Sequence, residues 1–232
     1  MKFNIKGLLD FFDDKKDSLK GDPNALIAMF GEELNAAVYK HFRRDKVEVL
    51  ECSVVPGTNK GHRLDRWILD KENNKLLQCE IKNWAASAIG GKRLISDATD
   101  EQIKAVVSYY WKHQLRESFS NKKEQPNGIT KVLLKMKYPA GYENISKIEP
   151  LLIYWMPISS DENTLEPFST VSLSNFDLPM ITTEFSELHI FSVSLHLRQL
   201  LKRQSYIDLD LPHLKRRLKT LANLQILDEA LN

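Results

Sequence analysis

Hydrophobic and polar positions change period several times along the chain, and each change marks an element. Residues 1–20 place Leu8, Leu9, Phe11 and Phe12 among charged residues and read as a short amphipathic helix. Gly21-Asp22-Pro23-Asn24 breaks it and opens a second helix, in which Leu26, Ile27, Phe30, Leu34, Ala37, Val38 and His41 recur at helical spacing up to about Arg44. Val47–Val55 is β-branched and ends at Pro56-Gly57-Thr58-Asn59, so it predicts a strand. Two more strands follow, His62–Asp70 and Lys75–Asn83, joined by Lys71-Glu72-Asn73-Asn74. Asp97 or Thr99 caps a long helix reaching about Ser118, with Ile103, Val106, Val107 and Tyr110 inward. Tyr109, Tyr110 and Trp111 take consecutive helical angles, so two are expected in the core and one outside. Thr130–Lys137, Pro150–Pro157 and Glu187–Ser194 read as strands, the last running into a helix through Gln204. Leu211-Pro212 opens a final helix with a leucine stripe. This order predicts an α/β domain, a mixed central β-sheet flanked by helices. The boundaries expected are an N-terminal helix over 1–20, one main domain over 21–204 and a helical extension over 205–232.

Composition narrows the class without choosing a function. With 42% apolar and 28% charged residues the chain reads as globular, and runs such as Leu151–Met156 are too short to span a bilayer. No secretory pattern opens the sequence, and two cysteines, Cys52 and Cys79, make neither a disulfide framework nor a zinc motif. A cytoplasmic protein with no membrane partner is the expectation. The net charge of +2 leaves any nucleic-acid affinity to local clusters, such as Lys40-Arg43-Arg44-Lys46, Lys122-Lys123 and Lys215-Arg216-Arg217-Lys219. Solvated helix faces are the commoner explanation of such clusters.

The predicted hairpin carries the chemistry. If Asp70 pairs with Lys75 across the four-residue turn, antiparallel counting sets Asp65 opposite Glu80. Directly paired residues share a face, with Cβ atoms roughly 4.5–5.5 Å apart. Alternation then puts Gln78, Glu80 and Lys82 on that face and Leu77, Cys79 and Ile81 on the other. Two opposed carboxylates repel unless something cationic stands between them, and a divalent metal or Lys82 would serve. Such a breach of local consistency marks a functional site.

Leu64-Asp65 followed by Glu80-Ile81-Lys82 resembles the D…ExK signature of the PD-(D/E)XK nuclease superfamily, the restriction-endonuclease-like proteins. The helix, three strands and helix around it are similar to that superfamily's αβββαβ core, over roughly residues 24 to 157, with additional C-terminal helices beyond. The resemblance implies that Asp65, Glu80 and the backbone carbonyl of Ile81 hold Mg²⁺, with Mn²⁺ able to substitute, and that Lys82 orients the attacking water. It also implies a glutamate from the first core helix. Glu33, at the edge of the apolar face, fits better than Glu32, which projects outward. Gln78 matches the first position of a QxExK variant and is expected to line the site.

The implied function is a Mg²⁺-dependent endonuclease acting on nucleic acid, most readily DNA, alone, as a homodimer or with a partner protein. The alternative from a different class is a non-catalytic nucleic-acid- or protein-binding module of the same fold. Around the site, Lys92 and Arg93 follow Gly90-Gly91 as a basic, substrate-side loop without Walker spacing. Gln102 is a candidate phosphate contact, set against an ordinary helix-surface position. Trp67 and Trp84 read as edge packing rather than base-stacking platforms, and His62 as an ordinary strand-start residue. No G-x-S-x-G, H-E-x-x-H or dinucleotide fingerprint is present, which removes the commoner hydrolase and dehydrogenase readings.

Overall fold

The computed structural model describes residues 1–13, 23–50, 64–82, 94, 96–121, 129–161, 163–179 and 181–223. Strand β1 (Lys2–Asn4) leads into helix α1 (Ile5–Asp13), then α2 (Pro23–Phe42), β2 (Val47–Val49), β3 (Arg66–Asp70) and β4 (Lys75–Lys82). Helix α3 (Asp100–Tyr110) passes without a break into a π-helical turn (Trp111–Arg116) and α4 (Glu117–Ser120). A 3₁₀ turn (Thr130–Leu133), β5 (Ile148–Tyr154), β6 (Phe168–Ser172), β7 (Glu187–Ser192), α5 (Val193–Leu201), β8 (Tyr206–Asp208) and α6 (Pro212–Asn223) complete the order.

Among the described residues six strands form one mixed sheet in the order β2-β3-β4-β5-β7-β6. The neighbours β2/β3, β3/β4 and β6/β7 are antiparallel, whereas β4/β5 and β5/β7 are parallel. All seven residues of β5 are buried, as a central strand covered on both faces requires. Period-two alternation divides the apolar residues between two cores. Leu76, Leu152, Tyr154 and Ile190 pack with Ile103, Val106, Val107 and Tyr110 of α3. Leu77, Cys79, Ile81, Leu151, Ile153 and Phe191 pack with Ile5, Leu9, Leu34, Val38 and Leu197 from α1, α2 and α5. Each fully buried aliphatic side chain contributes about 1.5–3 kcal/mol, so both faces are needed to hold the sheet.

Several elements differ from the sequence expectation. The N-terminal segment begins as a strand, because Lys2–Asn4 pairs antiparallel with Tyr206–Asp208 before Asn4 Oδ1 caps α1 by accepting from Gly7 N at 2.7 Å. Residues 1–13 and 206–214 therefore meet in the second core, through Ile5, Leu9, Phe12, Ile207, Leu209 and Leu214. The Thr130–Lys137 stretch is a 3₁₀ turn followed by irregular chain, not a strand. A short apolar run does not fix its own conformation, and here tertiary hydrogen bonds do. The strand starting at Val47 is described through Val49, with Leu50 N donating to Trp67 O at 2.9 Å; residues 51–55 lie outside the described residues. The helix after β7 ends at Leu201 rather than Gln204. Strand β6, poor in large apolar residues, was not evident from the pattern.

Thr99 is the N-cap of α3, in a capping box with Gln102. The Gln102 side chain accepts from Thr99 N at 2.9 Å, so the candidate phosphate contact is a helix-capping group. Tyr110 and Trp111 pack against the first core and Tyr109 is exposed, the two-in, one-out division expected. Trp67 is a core residue, and no helix among the described residues is long and apolar enough to cross a membrane. Cys52, His62, Trp84, Lys92, Arg93, Lys122 and Lys123 lie outside the described residues.

Candidate functional site

The site is positioned by its turn. Asp70 is fully buried and its carboxylate accepts from Glu72 N and Asn73 N, both at 3.1 Å, from Asn73 Nδ2 at 3.0 Å and from Arg43 Nη2 at 3.2 Å. Burial alone would raise this carboxyl, but these donors hold it below the usual carboxylate range. Asn74 takes the left-handed conformation, φ +47°, that the turn requires. The turn thereby locks the register Asp70↔Lys75 through Arg66↔Cys79. A one-residue slip would send Glu80 to the opposite face.

At its open end the hairpin departs from simple pairing. The ladder stops at Arg66, one residue short of the expected Asp65–Glu80 pair. Asp65 N donates to Cys79 O at 3.2 Å, and the Asp65 carboxylate takes the next donor itself: Ile81 N to Oδ2, 2.7 Å. Asp65 thus replaces a main-chain partner and anchors its carboxylate beside Glu80. The face assignment for β4 agrees with the expectation, since Leu77, Cys79 and Ile81 all enter the second core.

Glu80 is fully buried, with Lys82 Nζ in contact with Oε1. A second ammonium, absent from the sequence reading, comes from the 3₁₀ turn: Lys131 Nζ lies 2.7 Å from Glu80 Oε2 and 4.0 Å from Asp65 Oδ1. Two carboxylates and two ammonium groups therefore share one site. Burial, followed by the neighbouring Asp65 carboxylate, pushes Glu80 up to about 7 despite both lysines. The same two influences raise Glu32, whose carboxylate lies 3.5 Å from Arg66 Nη1. Arg66 Nη1 in turn donates to Asp65 O at 2.6 Å, which links Glu32 to the rim of the site.

This reverses the expectation for α2. Glu33, expected at the site, accepts from His213 N at 2.7 Å and Leu214 N at 3.0 Å, closing the N-terminus of α6. Glu32 is the α2 carboxylate coupled to Asp65. Leu34, Asn35, Ala36, Ala37, Val38 and Tyr39 are all buried, so this stretch of α2 has no single apolar stripe whose edge Glu33 could mark. Gln78 also departs from its expected role. Its amide donates to Val132 O and, at 3.0 Å, to Leu134 O, and its carbonyl accepts from Met136 N at 3.2 Å. Gln78 is consequently a buried strut for the segment that delivers Lys131.

Nothing in the local sequence tied Lys131 to the hairpin; the link is three main-chain groups bound by one glutamine. Among the described residues no three His, Cys, Asp or Glu side chains come together to hold a metal ion. A cation here would rest on Asp65, Glu80 and main-chain oxygen. Ile81 turns its N–H toward the Asp65 carboxylate. Comparisons with protein-family models, curated proteins and solved structures find no match to this chain.

Proposed function

We propose that the chain is a Mg²⁺-dependent nuclease of the restriction-endonuclease-like type, hydrolysing phosphodiester bonds, most readily in DNA. The observation that carries the reading is the convergence of Asp65, Glu80 and Lys82 at the open end of one hairpin, with Glu80 fully buried and pushed up to about 7. The order α2-β2-β3-β4-α3-β5 agrees with an αβββαβ core.

The residues present fit a hard cation. Carboxylate and carbonyl oxygens suit Mg²⁺, which binds through one or two carboxylates and keeps several waters. The Lys131 ammonium already bridges Glu80 and Asp65, so the position between them is one a positive charge favours. Bound there, the ion would lower the pKa of a bound water and neutralise charge developing on the phosphate. Asp65 is held in place by Ile81 N, which removes the entropy of ordering it during the reaction. Lys82, in contact with the Glu80 carboxylate, serves to orient water and stabilise charge on the phosphate. Lys131 supplies a second ammonium beside the same two carboxylates.

A second reading is favoured by the same lysine. Lys131 supplies a built-in counter-charge, so the cluster can stand as a structural ion network in a non-catalytic nucleic-acid- or protein-binding module. Two measurements separate them. Supercoiled plasmid and short single- and double-stranded DNA and RNA are incubated with Mg²⁺, Mn²⁺ or EDTA, with wild type and Lys82→Ala. Metal-dependent cleavage lost in Lys82→Ala supports the nuclease. Absence of cleavage together with no calorimetric Mg²⁺ or Mn²⁺ binding would reject it in favour of the module.

A further inference from the structure

Beside the π-helical turn lies a cavity of about 390 Å³, lined by Trp111, Arg116, Ser160, Val171, Asn175 and Phe176. Its volume falls in the range of small-molecule sites, roughly 300–1,000 Å³. The backbone explains why these groups meet. In an α-helix residues five apart lie on different faces, whereas the wider i→i+5 turn brings them to the same side. The turn Trp111–Arg116 spans such a step, bringing its first and last side chains to one opening. Single π turns inside α-helices are frequent at functional sites.

The lining combines two tilted aromatic rings with polar groups. Trp111 and Phe176 stand with ring centroids 6.1 Å apart and planes at 54°, and Phe119 backs Phe176 edge-on at 5.0 Å. Val171, buried, adds to the apolar lining. The Arg116 guanidinium, the Asn175 amide and the Trp111 indole N–H have no hydrogen-bond or ion-pair partner among the described residues. A guanidinium offers a planar fork matched to phosphate or carboxylate, and it also stacks on aromatic rings. An amide beside it can read the edge of a heterocycle through both a donor and an acceptor.

We propose that this cavity binds a planar aromatic anion of mononucleotide size. The ring lies against Trp111 and Phe176, the anionic group pairs with Arg116, and Asn175 bonds the ring edge. The inference does not rest on the nuclease reading, because none of these residues belongs to the Asp65–Glu80–Lys82–Lys131 cluster. Two sources share this chemistry, a nucleotide and an aromatic carboxylate.

Calorimetric titration of the full chain in EDTA, with adenosine 5′-monophosphate, adenosine, inorganic phosphate and indole-3-acetate as separate probes, tests it. Saturable one-to-one binding of at least one aromatic anion is expected, tighter than adenosine or phosphate alone. Arg116→Ala, at an exposed position that leaves the core untouched, should weaken that binding about tenfold or more, the usual effect of losing a hydrogen bond to a charged group. Asn175→Ala should weaken it less, and Lys82→Ala should leave it unchanged. Preference for the nucleotide or for indole-3-acetate identifies the source, and either supports the site. No saturable binding of either aromatic anion overturns the proposal. So does adenosine binding as tightly as its monophosphate, or binding that survives Arg116→Ala and is lost in Lys82→Ala.

Discussion

Replacing Gln78 with leucine tests how the site is assembled. Leucine fills nearly the same volume and suits a buried strand position, so packing changes little. What disappears is three main-chain partners: the donor to Val132 O, the donor to Leu134 O at 3.0 Å and the acceptor for Met136 N at 3.2 Å. Gln78, Val132 and Met136 are buried, so water does not readily replace these bonds. A buried main-chain group without a partner costs about 1–3 kcal/mol, and three of them bring the gross loss to roughly 3–6 kcal/mol after partial relaxation. Leucine avoids the desolvation of an amide, which returns about 1–2 kcal/mol. The net destabilisation expected is about 3 kcal/mol, a large part of the ~5–15 kcal/mol that holds a typical domain. Urea denaturation of Gln78→Leu and wild type gives it from the shift in midpoint, and amide exchange at Met136 should accelerate in parallel. A loss below about 1 kcal/mol with unchanged exchange at Met136 would refute the strut, and with it this account of how Lys131 reaches Glu80.

The remaining predictions concern charge and capping. Lys131→Met removes a favourable partner of Glu80, so its carboxyl should titrate above about 7 in ¹³C spectra of the metal-free protein; an unchanged or lower midpoint would place Lys131 away from it. Glu149, buried against Lys75, Lys147 and His189, is desolvated, but hydrogen bonds from those three partners carry it down to about 2. A carboxylate depressed on folding stabilises the folded state fully above its unfolded value near 4.5, and that contribution is lost as pH falls toward 2. Glu149→Gln should therefore flatten the acid limb of stability between those limits by about 3 kcal/mol in total; an unaltered acid limb would contradict the assignment. Glu33→Ala should cost about 1 kcal/mol and speed amide exchange at His213 and Leu214, as loss of an N-terminal acceptor does. Unchanged exchange there would return Glu33 to consideration at the site.

Local chemistry settled a definite share of the molecule. The hairpin was legible because Lys71-Glu72-Asn73-Asn74 turns between alternating runs, and Asp70 satisfies its own turn through Asn73. The face carrying Gln78, Glu80 and Lys82 followed from alternation, which needs no distant contact. An N-cap at Asp97 or Thr99, of which Thr99 is the one used, and the opening of α6 at Pro212 were legible for the same reason, since a cap is made within one turn of its helix.

What lay beyond reach depends on residues far apart in the chain. The pairing of Lys2–Asn4 with Tyr206–Asp208 involves segments too short to show a period. Whether Thr130–Leu133 became strand or 3₁₀ turn was decided by Gln78, a β4 residue bonded to its main chain. Only that fold brings Lys131 to Glu80 and Asp65. Glu32 and Glu33 are adjacent on one helix, and the choice between them rests on α6, whose free N–H groups draw Glu33 away. The sequence by itself determined which groups share a strand face and where turns and caps fall, because those follow from bonds within a few residues. The tertiary structure alone decided which charges meet, because burial and the distance between remote side chains exist only once both cores have closed on the sheet.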